Sequence, residues 1–427
     1  MAAAVGLVQR GHQVAVWETA RHWGGRARAL TLRGPDGTPL VVDNGQHILI
    51  GAYTECLQLM RPVGVDPEQA LLRLPLDLRH ANGSGLLLPH LPPPWDAVLG
   101  IARAKGWSFH DKYALLAHAA RWKRSHFRCN SHDTVADLCR GLPARLLQDF
   151  IDPLCISALN LPADQASGVV FLRILHDSLF AGRGGSNLLI PRTDLGTVFP
   201  ASAAQWLAAR GGVLHLGERA HSLQACGGDA HNGWQVNGDA FDGVVLATTS
   251  AEAARLALTA ASGLHRTRAA CEHWAGLADA LPHTAIATVY AYSTTPPSHA
   301  HTLPSPMVAL HATPEAPAQF AFDRGQLGGP AGLIALVISA SDALPCDDRA
   351  TLQALTLAQA EAQLGLRLTA LRTVVEKRAT FACTPDVQRP GADIAPRLWA
   401  CGDYVEGPYP ATLEGAVRSG LEVAQAF

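Results

Sequence analysis

The sequence has few charged residues and no apolar run long enough to cross a membrane. Asp, Glu, Lys and Arg make up 16% of its 427 residues and hydrophobic residues make up 48%. No segment reaches the roughly 18 continuous apolar residues that a membrane span requires. Lys and Arg form no long run and the net charge is −2, so nucleic acid is not expected as a partner. The length and composition favour a globular chain of two domains.

Paired cysteines and clustered metal ligands are also missing. The nine cysteines are dispersed without a CxxC pair, which favours reduced thiols in a cytoplasmic protein. His299 and His301 are the one closely spaced pair among the 19 histidines, and no Cys or carboxylate cluster accompanies them. We therefore predict no metal site. The first eight residues contain no Lys or Arg and are followed by Gln9 and Arg10, which does not predict a secretory signal.

Helix and strand patterns place α/β segments at the start, middle and end of the chain. Residues 1–18 read as a helix, a turn at Gly11 and a short strand that ends at Glu18. A continuous apolar strand is predicted at 241–247, and the chain ends with a helix that has one apolar face. This order predicts an α/β fold in which a discontinuous Rossmann-like domain is interleaved with an α+β substrate domain. Residues 1–70, 186–255 and 370–427 are assigned to the first domain, and 71–185 and 256–369 to the second.

Three short motifs are typical of a dinucleotide-binding fold. Glu18 ends a strand at the point where a carboxylate accepts hydrogen bonds from two ribose hydroxyls. The turn Gly24-Gly25-Arg26 combines glycines that allow close backbone approach with a guanidinium that matches phosphate oxygens. Gly402-Asp403 precedes the last helix, whose N-terminus favours an anion or a carbonyl, and Asp403 can accept from a ribitol hydroxyl. Each motif alone also fits an ordinary turn or a solvated acid, but their order indicates an FAD-binding domain of the glutathione-reductase type.

Longer stretches around these motifs resemble a known superfamily. Residues 14–28, 398–404 and 412–416 resemble the flavin amine oxidases and phytoene desaturases. Within that superfamily, four stretches are similar to hydroxysqualene dehydroxylases, namely residues 43–53, 187–195, 376–385 and 402–412. The resemblance implies FAD as the cofactor, and it implies as cofactor-binding residues Glu18, Gly24, Gly25, Arg26, Ala220, Gly402, Asp403, Thr412 and Leu413.

The same resemblance implies a reaction, the reductive dehydroxylation of hydroxysqualene to squalene by reduced flavin. Hydroxide leaves poorly, so a general acid must protonate it, and the resulting cation requires a water-free pocket. The candidates near the flavin are Asp43, His47, Glu406 and Tyr409, and Tyr404 is a further aromatic candidate for the pocket wall. For each one, a structural role is the alternative. A carotenoid-type desaturase, an amine oxidase and an FAD-deficient fragment remain alternative functions, while a plain NAD(P) dehydrogenase is disfavoured.

The sequence departs from the superfamily in one respect. The G-x-G-x-x-G loop that cradles the pyrophosphate is not present, and Met1 aligns just after its last glycine. We therefore expect a start codon that lies too late or a truncated gene, and with it a gap in the sheet. Losing two or three hydrogen bonds to charged phosphates, each about 1.5–3 kcal/mol, would weaken FAD binding roughly a hundredfold or more.

A triterpenoid substrate also predicts contact with a membrane. Such a hydrocarbon gains about 0.8 kcal/mol per CH₂ on leaving water, and it gains the same in a bilayer. We therefore expect peripheral binding to the inner face of a bacterial membrane, and other enzymes of the squalene pathway are candidate partners. The candidate docking segments are 71–95 and 113–122, for which burial in the domain core is the alternative.

Overall fold

The chain folds into a mixed α/β structure. The computed structural model describes residues 1–180, 182–226, 233–261, 268–293, 302–345 and 348–427. The helices within these ranges are α1 Ala2–Gln9, α2 Thr54–Met60, α3 Pro67–Ala70, α4 Trp95–Arg103, α5 Phe109–Arg124, α6 Val135–Leu138, α7 Ala144–Leu146, α8 Asp152–Leu159, α9 Gly168–Leu179, α10 Leu195–Val198, α11 Pro200–Ala208, α12 Ser250–Ala261, α13 Arg268–Asp279, α14 Arg349–Leu364 and α15 Leu413–Ala426. None of these helices is both long enough and apolar enough to pass through a bilayer.

The strands are mostly short. They are β1 Ala15–Glu18, β2 Ala29–Arg33, β3 Pro39–Asp43, β4 Leu49–Ile50, β5 Leu71–Leu74, β6 Asp77–Arg79, β7 Gly85–Leu87, β8 Leu188–Pro191, β9 Val213–Leu216, β10 Leu223–Ala225, β11 Trp234–Val236, β12 Asp239–Phe241, β13 Val244–Leu246, β14 His283–Ser293, β15 Met307–Ala309, β16 Phe320–Asp323, β17 Leu333–Ile338, β18 Leu368–Phe381, β19 Asp393–Ala395 and β20 Leu398–Ala400. Short 3₁₀ turns occur at Arg61–Val63, Arg324–Leu327 and Ser341–Ala343, and a π-helical turn at Leu147–Ile151.

Two parallel strand pairs carry the predicted cofactor motifs. Strand β1 pairs with β9, and β13 pairs with β20, both in parallel register. The two pairs belong to separate sheets. Ligands of α/β folds bind beyond the carboxyl ends of parallel strands. Here β1 ends at Glu18, β13 is followed by residues 247–250, and β20 ends two residues before Gly402.

The first and last helices pack closely because small residues line their contact. An added Cβ at Gly6 would lie 2.8 Å from Cβ of Ala424, and one at Gly420 would lie 2.9 Å from the backbone nitrogen of Ala3. Helix α1 ends at Gln9, and the predicted turn follows at Gly11, whose φ of +90° favours glycine. The apolar face predicted for the last helix is therefore used against α1.

The largest sheet is antiparallel and draws four strands from the predicted substrate segment 256–369, while its edge strand β18 extends into the predicted cofactor segment 370–427. Its strand order is β15-β16-β17-β14-β18, with the long β14 paired on both sides. All residues of β17 are buried, so this sheet forms the centre of a hydrophobic cluster that α14 covers. Residues 95–180, by contrast, fold mainly into the helices α4 to α9. The domain boundaries themselves stay a prediction.

One predicted strand is wrong in its extent. Residues 241–247 do not form a continuous strand, because β12 ends at Phe241 and β13 begins at Val244. Strand β12 pairs within an antiparallel sheet, whereas β13 pairs with the parallel strand β20. Between them, an added Cβ at Gly243 would lie 2.5 Å from the ring of Phe427. The chain changes sheets at this glycine, and an apolar run does not reveal such a change.

Candidate cofactor and active site

Glu18 lies where the sequence placed the ribose-binding acid. It is the last residue of β1, and its Oε1 accepts the backbone N–H of Ala20 at 2.8 Å. Its carbonyl oxygen accepts the N–H groups of Gly217 and Glu218, which fixes the end of β1 against the turn after β9. The carboxylate is partly exposed. It is therefore held at a strand end with capacity to accept further hydrogen bonds, as a ribose diol requires.

The Gly24-Gly25 turn has the backbone that the motif predicts. Both glycines have positive φ, +108° at Gly24 and +58° at Gly25. A Cβ added at Gly24 would lie 2.2 Å from the carbonyl oxygen of Ala27 and 3.0 Å from Pro200, so a side chain is excluded there. No atom lies within 4 Å of an added Cβ at Gly25. The first glycine is required for packing, and the second leaves open space beside the backbone.

Arg26 and Asp403 form the centre of the candidate cofactor site. Nη2 of Arg26 donates to Oδ1 of Asp403 at 2.6 Å, and Nη1 donates to the carbonyl oxygen of Ala379 in β18 at 2.5 Å. Asp403 is buried and Arg26 is partly exposed. The structure thus joins two residues that the sequence assigned separately to the pyrophosphate and the ribitol.

The turn at Gly402 is tied to the last helix. The N–H of Gly402 donates to Oγ of Ser419 at 2.9 Å. Thr412 is the N-cap of α15, and its Oγ1 accepts the N–H of Gly415 at 3.0 Å. Leu413 opens the helix and packs its side chain against a neighbouring hydrophobic cluster. Any contact of Leu413 with a cofactor would therefore come from its backbone.

Two further residues at this site can contact a cofactor. Ser250 was not predicted from the sequence, and Tyr404 was predicted only as part of the pocket wall. Ser250 and Tyr404 are buried, and Oγ of Ser250 and the hydroxyl of Tyr404 have no hydrogen-bond partner among the described residues. Both line a small pocket together with Arg26 and Asp403. Buried polar atoms without partners are uncommon and indicate a missing ligand or water. The donors and acceptors present therefore fit a phosphate- and hydroxyl-bearing cofactor. Ser250 could have been found from the sequence, because it comes three residues after the end of the predicted strand 241–247 and opens α12.

Ala220 is the predicted cofactor-binding residue with the least structural support. Its carbonyl oxygen accepts Nη2 of Arg255 at 2.9 Å, and its side chain packs against the hydrophobic core. None of the hydrogen bonds of the described residues connects Ala220 with Arg26 or Asp403. Its assignment stays a prediction.

Asp43 is a buried acid with one free oxygen. It ends β3 with 1% of its surface exposed, and its Oδ1 accepts the N–H of Leu195 at 2.7 Å. Its carbonyl oxygen accepts the hydroxyl of Tyr290 at 2.8 Å, while Oδ2 has no partner among the described residues. Burial raises the pKa of Asp43 to about 6, although the Leu195 N–H and the charge of Arg324 oppose the rise. The group can therefore hold a proton near neutral pH.

His47 follows on the same segment. Its Nδ1 contacts the carbonyl oxygen of Gly45, and the ring is partly buried. Burial lowers the pKa of His47, and the positive charge of Arg26 lowers it further, against the effect of the Gly45 carbonyl. The imidazole is consequently neutral at physiological pH and lies within electrostatic reach of the Arg26–Asp403 pair.

Tyr409 belongs to a cluster of rings and cations. The guanidinium carbons of Arg418 and Arg173 lie 4.9 and 5.7 Å from its ring centroid, and the ring of Tyr53 lies 6.4 Å away. Burial raises the pKa of Tyr409 to about 12, and a hydrogen bond with Asp177 contributes. The phenol therefore stays protonated and is held by its neighbours.

Glu406 is exposed, unlike the other three catalytic candidates. Its backbone N–H donates to the carbonyl oxygen of Pro390 at 2.9 Å, and its charge acts on Arg389. Asp43 and His47 share one segment, whereas Tyr409 and Glu406 lie on the loop before α15. No hydrogen bond given by the described residues joins any two of the four. Their catalytic roles stay predictions.

Metal ligands are not clustered in the part of the chain that the structure describes. No group of three or more His, Cys, Asp or Glu side chains is placed there to hold an ion. The pair His299 and His301 lies outside the described residues.

Comparison with known proteins gives a full-length match to one family. The family described as flavin containing amine oxidoreductase matches residues 1–427. A hydroxysqualene dehydroxylase of Rhodopseudomonas palustris is 28% identical over 447 residues, covering 99% of this chain and 94% of the relative. A hydroxysqualene dehydroxylase of Zymomonas mobilis is 24% identical, with 99% of this chain and 95% of the relative covered.

Solved structures agree with this fold. An oxidoreductase from Methanosarcina mazei superposes with a TM-score of 0.70 at 16% identity, covering 99% of this chain and 97% of that one. Cyclohexylamine oxidase from Brevibacterium oxydans superposes with a TM-score of 0.63 at 17% identity, covering 100% and 95%. These likenesses establish the α/β fold of FAD-dependent oxidoreductases that the sequence predicted. The chain belongs to the flavin-containing amine oxidoreductase family and is an FAD-dependent oxidoreductase.

Proposed function

We propose that the chain reduces hydroxysqualene to squalene. The observation that carries this proposal is the end-to-end similarity to relatives named hydroxysqualene dehydroxylase, which extends over 99% of this chain and 94–95% of theirs. A match of that extent includes both the cofactor motifs and the segments between them that would enclose a substrate. The four stretches at 43–53, 187–195, 376–385 and 402–412 support the same substrate.

The reaction balances as hydroxysqualene plus reduced FAD giving squalene, water and oxidised FAD. The C–O bond breaks, a C–H bond forms, and the hydroxyl leaves as water after it has taken up a proton. When bound, reduced FAD supplies the hydride equivalent, and Glu18, Arg26 and Asp403 are the residues that would hold it. The protein must then provide the proton, exclude water and tolerate positive charge on the substrate.

Asp43 is the proposed source of the proton. Its buried carboxyl has a pKa near 6, and Oδ2 is free to donate because Oδ1 is occupied by the Leu195 N–H. A general acid is most effective when its pKa lies near the working pH. Ionisation of Asp43 in turn leaves a negative charge that stabilises a carbocation formed nearby.

His47 is proposed to line the same region in its neutral form. Its pKa is lowered by burial and by Arg26, so the ring adds no positive charge beside a developing cation. A neutral imidazole offers an aromatic face without the repulsion that an imidazolium would exert. Its role is positioning and electrostatic rather than proton donation.

The substrate determines where the reaction takes place. A thirty-carbon alcohol partitions into a bilayer as readily as into an apolar pocket, so we propose that the protein works at the cytoplasmic face of a membrane. Other enzymes of squalene formation are the proposed partners there.

Product analysis tests the proposal directly. Purified protein with added FAD is reduced anaerobically by dithionite and given hydroxysqualene, and squalene is measured by gas chromatography with mass spectrometry. We expect squalene from the wild type and from the control Asp279→Asn, an exposed acid at the end of α13, and at least a hundredfold less from Asp43→Asn. The same protein is assayed oxidatively with phytoene and with amines. Turnover of either, without squalene from hydroxysqualene, would replace the proposal with a desaturase or an amine oxidase.

A further inference from the structure

Large apolar side chains are exposed together on two consecutive helices. Phe109 is 93% exposed, Tyr113 75% and Trp95 64%, and Leu91 and Val98 are also exposed. Trp95 is the one exposed tryptophan among the nine in the chain, all of which the structure describes. Exposed aromatic rings concentrated within about 20 residues are unusual on a soluble surface and indicate a binding site.

These side chains share one face because of helical spacing. Trp95, Val98 and Ala102 follow at i, i+3 and i+7 along α4 and are exposed, while Gly100 and Ile101 of the same helix are buried.

The exposed face of α5 adjoins that of α4. Phe109 and Tyr113 lie one turn apart at the start of α5. Nζ of Lys112, between them in sequence, donates to the carbonyl oxygen of Ala102 at 2.9 Å. The exposed faces of the two helices are therefore neighbours. We call the face formed by Leu91, Trp95, Val98, Phe109 and Tyr113 the aromatic face.

The charges around the aromatic face have one sign. Residues 89–128 contain seven Lys and Arg but only two acids, which gives +5 in a chain whose net charge is −2. Both acids are buried in the first turn of their helices and accept hydrogen bonds there: Asp96 accepts the N–H of Ala97 at 2.7 Å, and Asp111 forms a capping box with Ser108. The charges that remain exposed belong to basic residues, namely Arg103, Lys105, Arg121, Lys123, Arg124 and Arg128.

We propose that the aromatic face docks on an anionic lipid surface, with Trp95, Phe109 and Tyr113 entering the headgroup region and the surrounding Lys and Arg side chains facing the lipid phosphates. Amphipathic rings are favoured at the membrane interface, and basic residues near an anionic leaflet add attraction. A second copy of the chain is a poorer occupant, because a two-fold interface through this face would bring two sets of like charges together.

The inference stands apart from the proposed reaction, because it depends on exposure and charge and not on any substrate.

It also narrows the docking segments expected from the sequence. Within those segments, Leu71, Leu86, Leu88, Leu115 and Trp122 are buried in the core. Leu91, Trp95 and Tyr113 remain at the surface, and Phe109, which lies between the two segments, joins them.

Vesicle flotation tests the docking. The full chain with FAD is mixed with vesicles of equal parts phosphatidylglycerol and phosphatidylcholine, or of phosphatidylcholine alone. We expect at least tenfold more binding to the anionic vesicles, and a loss of at least tenfold in the double variant Phe109→Ala, Tyr113→Ala. The matched control, Val213→Ala with Leu258→Ala, removes exposed apolar side chains elsewhere and should bind as the wild type does. Thermal unfolding of each variant checks that the fold is intact.

The charge requirement has its own control. Arg103→Gln with Lys105→Gln should weaken binding several-fold and reduce its salt dependence, whereas Arg10→Gln with Arg33→Gln, which are also exposed, should not. Equal binding to neutral and anionic vesicles would contradict the proposal.

Trp95 reports insertion directly. Lipids brominated on the acyl chain should quench part of the tryptophan fluorescence of the wild type, and Trp95→Phe should lose that quenching. If the protein binds neither type of vesicle, the proposal is wrong. If light scattering shows a dimer that dissociates in Phe109→Ala, the aromatic face is instead the interface with a second copy of the chain.

Discussion

Arg26 and Asp403, 377 positions apart in the chain, form an ion pair of 2.6 Å that joins the turn after β1 to the turn after β20. Asp403 is buried and its partner half-buried, so the pair is screened less than a surface salt bridge. It connects the two motifs that are predicted to bind adjacent parts of FAD, the pyrophosphate and the ribitol. Changes at Arg26 should therefore affect cofactor binding.

Replacing Arg26 should weaken FAD binding. In Arg26→Gln the guanidinium contacts to Asp403 and to any phosphate are lost, and a hydrogen bond to a charged group contributes about 1.5–3 kcal/mol, which corresponds to about ten- to hundredfold in affinity. FAD titration followed by fluorescence quenching measures the dissociation constant. Arg21→Gln, an exposed arginine nearby in sequence, is the control and should bind as the wild type does. Unchanged affinity in Arg26→Gln would remove this residue from the cofactor site.

Replacing Glu18 should affect the adenosine end of the cofactor alone. Glu18→Gln keeps an acceptor for the Ala20 N–H but loses the charge that favours the ribose hydroxyls. We expect FAD affinity to fall about tenfold, on the scale of one charge-assisted hydrogen bond. Binding of FMN, which lacks the adenosine, should not change. Glu218→Gln at the neighbouring turn is the control, and equal losses for FAD and FMN would contradict a ribose role.

The pH dependence of stability should carry a contribution from Asp43. Its folded pKa of about 6 lies above the ordinary value of 3.8, so the folded state holds this proton more tightly than the unfolded state does. Stability from this group is therefore fully present below about pH 4 and is lost as the pH rises through 6. The difference corresponds to roughly 3 kcal/mol.

Asp43→Asn isolates this contribution, because asparagine imitates the protonated acid. Its unfolding free energy, measured in urea between pH 4 and 7, should match the wild type at pH 4 and exceed it at pH 7. A variant that is less stable than the wild type at pH 7 would mean that the ionised carboxylate is the favoured form.

Glu414 should be important for stability. It is 0% exposed in α15, and its carboxylate accepts the N–H groups of Glu55 and Cys56 at 3.1 and 2.9 Å and Nε of Arg418 at 2.8 Å. It thus caps the N-terminus of α2 from a distant helix. Its negative charge also interacts favourably with the positive end of the α2 dipole. Glu414→Ala leaves these donors unpaired and should cost about 3–5 kcal/mol of unfolding free energy in urea.

Glu422→Ala, two turns further along α15 and exposed, is the matched control and should change stability by less than about 0.5 kcal/mol. Similar losses in both variants would mean that the helix itself, rather than the cap, is affected.

The cofactor motifs could be predicted from the sequence because they are local. The strand ending at Glu18, the glycine turn at Gly24-Gly25 and the last helix depend on neighbours within a few residues, and the structure contains all three. The pairing of Arg26 with Asp403 could not be predicted, because the two residues are 377 positions apart and each motif indicates a contact with the cofactor but not with the other motif.

Other features depend on packing between distant segments. The unpaired hydroxyl of Ser250 becomes informative only when the surrounding residues are in place. At the break between β12 and β13, Gly243 lies against the ring of Phe427, nearly 200 residues away, and no periodicity of the sequence reports such a contact. The excess of basic residues in 89–128 can be counted from the sequence, but only the structure shows that Asp96 and Asp111 are buried and that the exposed charges there are all basic.

The contact of α1 with α15 has a consequence for the order of folding. Gly6 packs against Ala424, and Gly420 packs against Ala3, so each helix finds its partner about 420 residues away in the chain. Contacts with such a large sequence separation form late. The apolar sides of α1 and α15 therefore stay unburied until most of the intervening chain has folded, and the turn at Gly402, which is tied to α15 through Ser419, is fixed late as well.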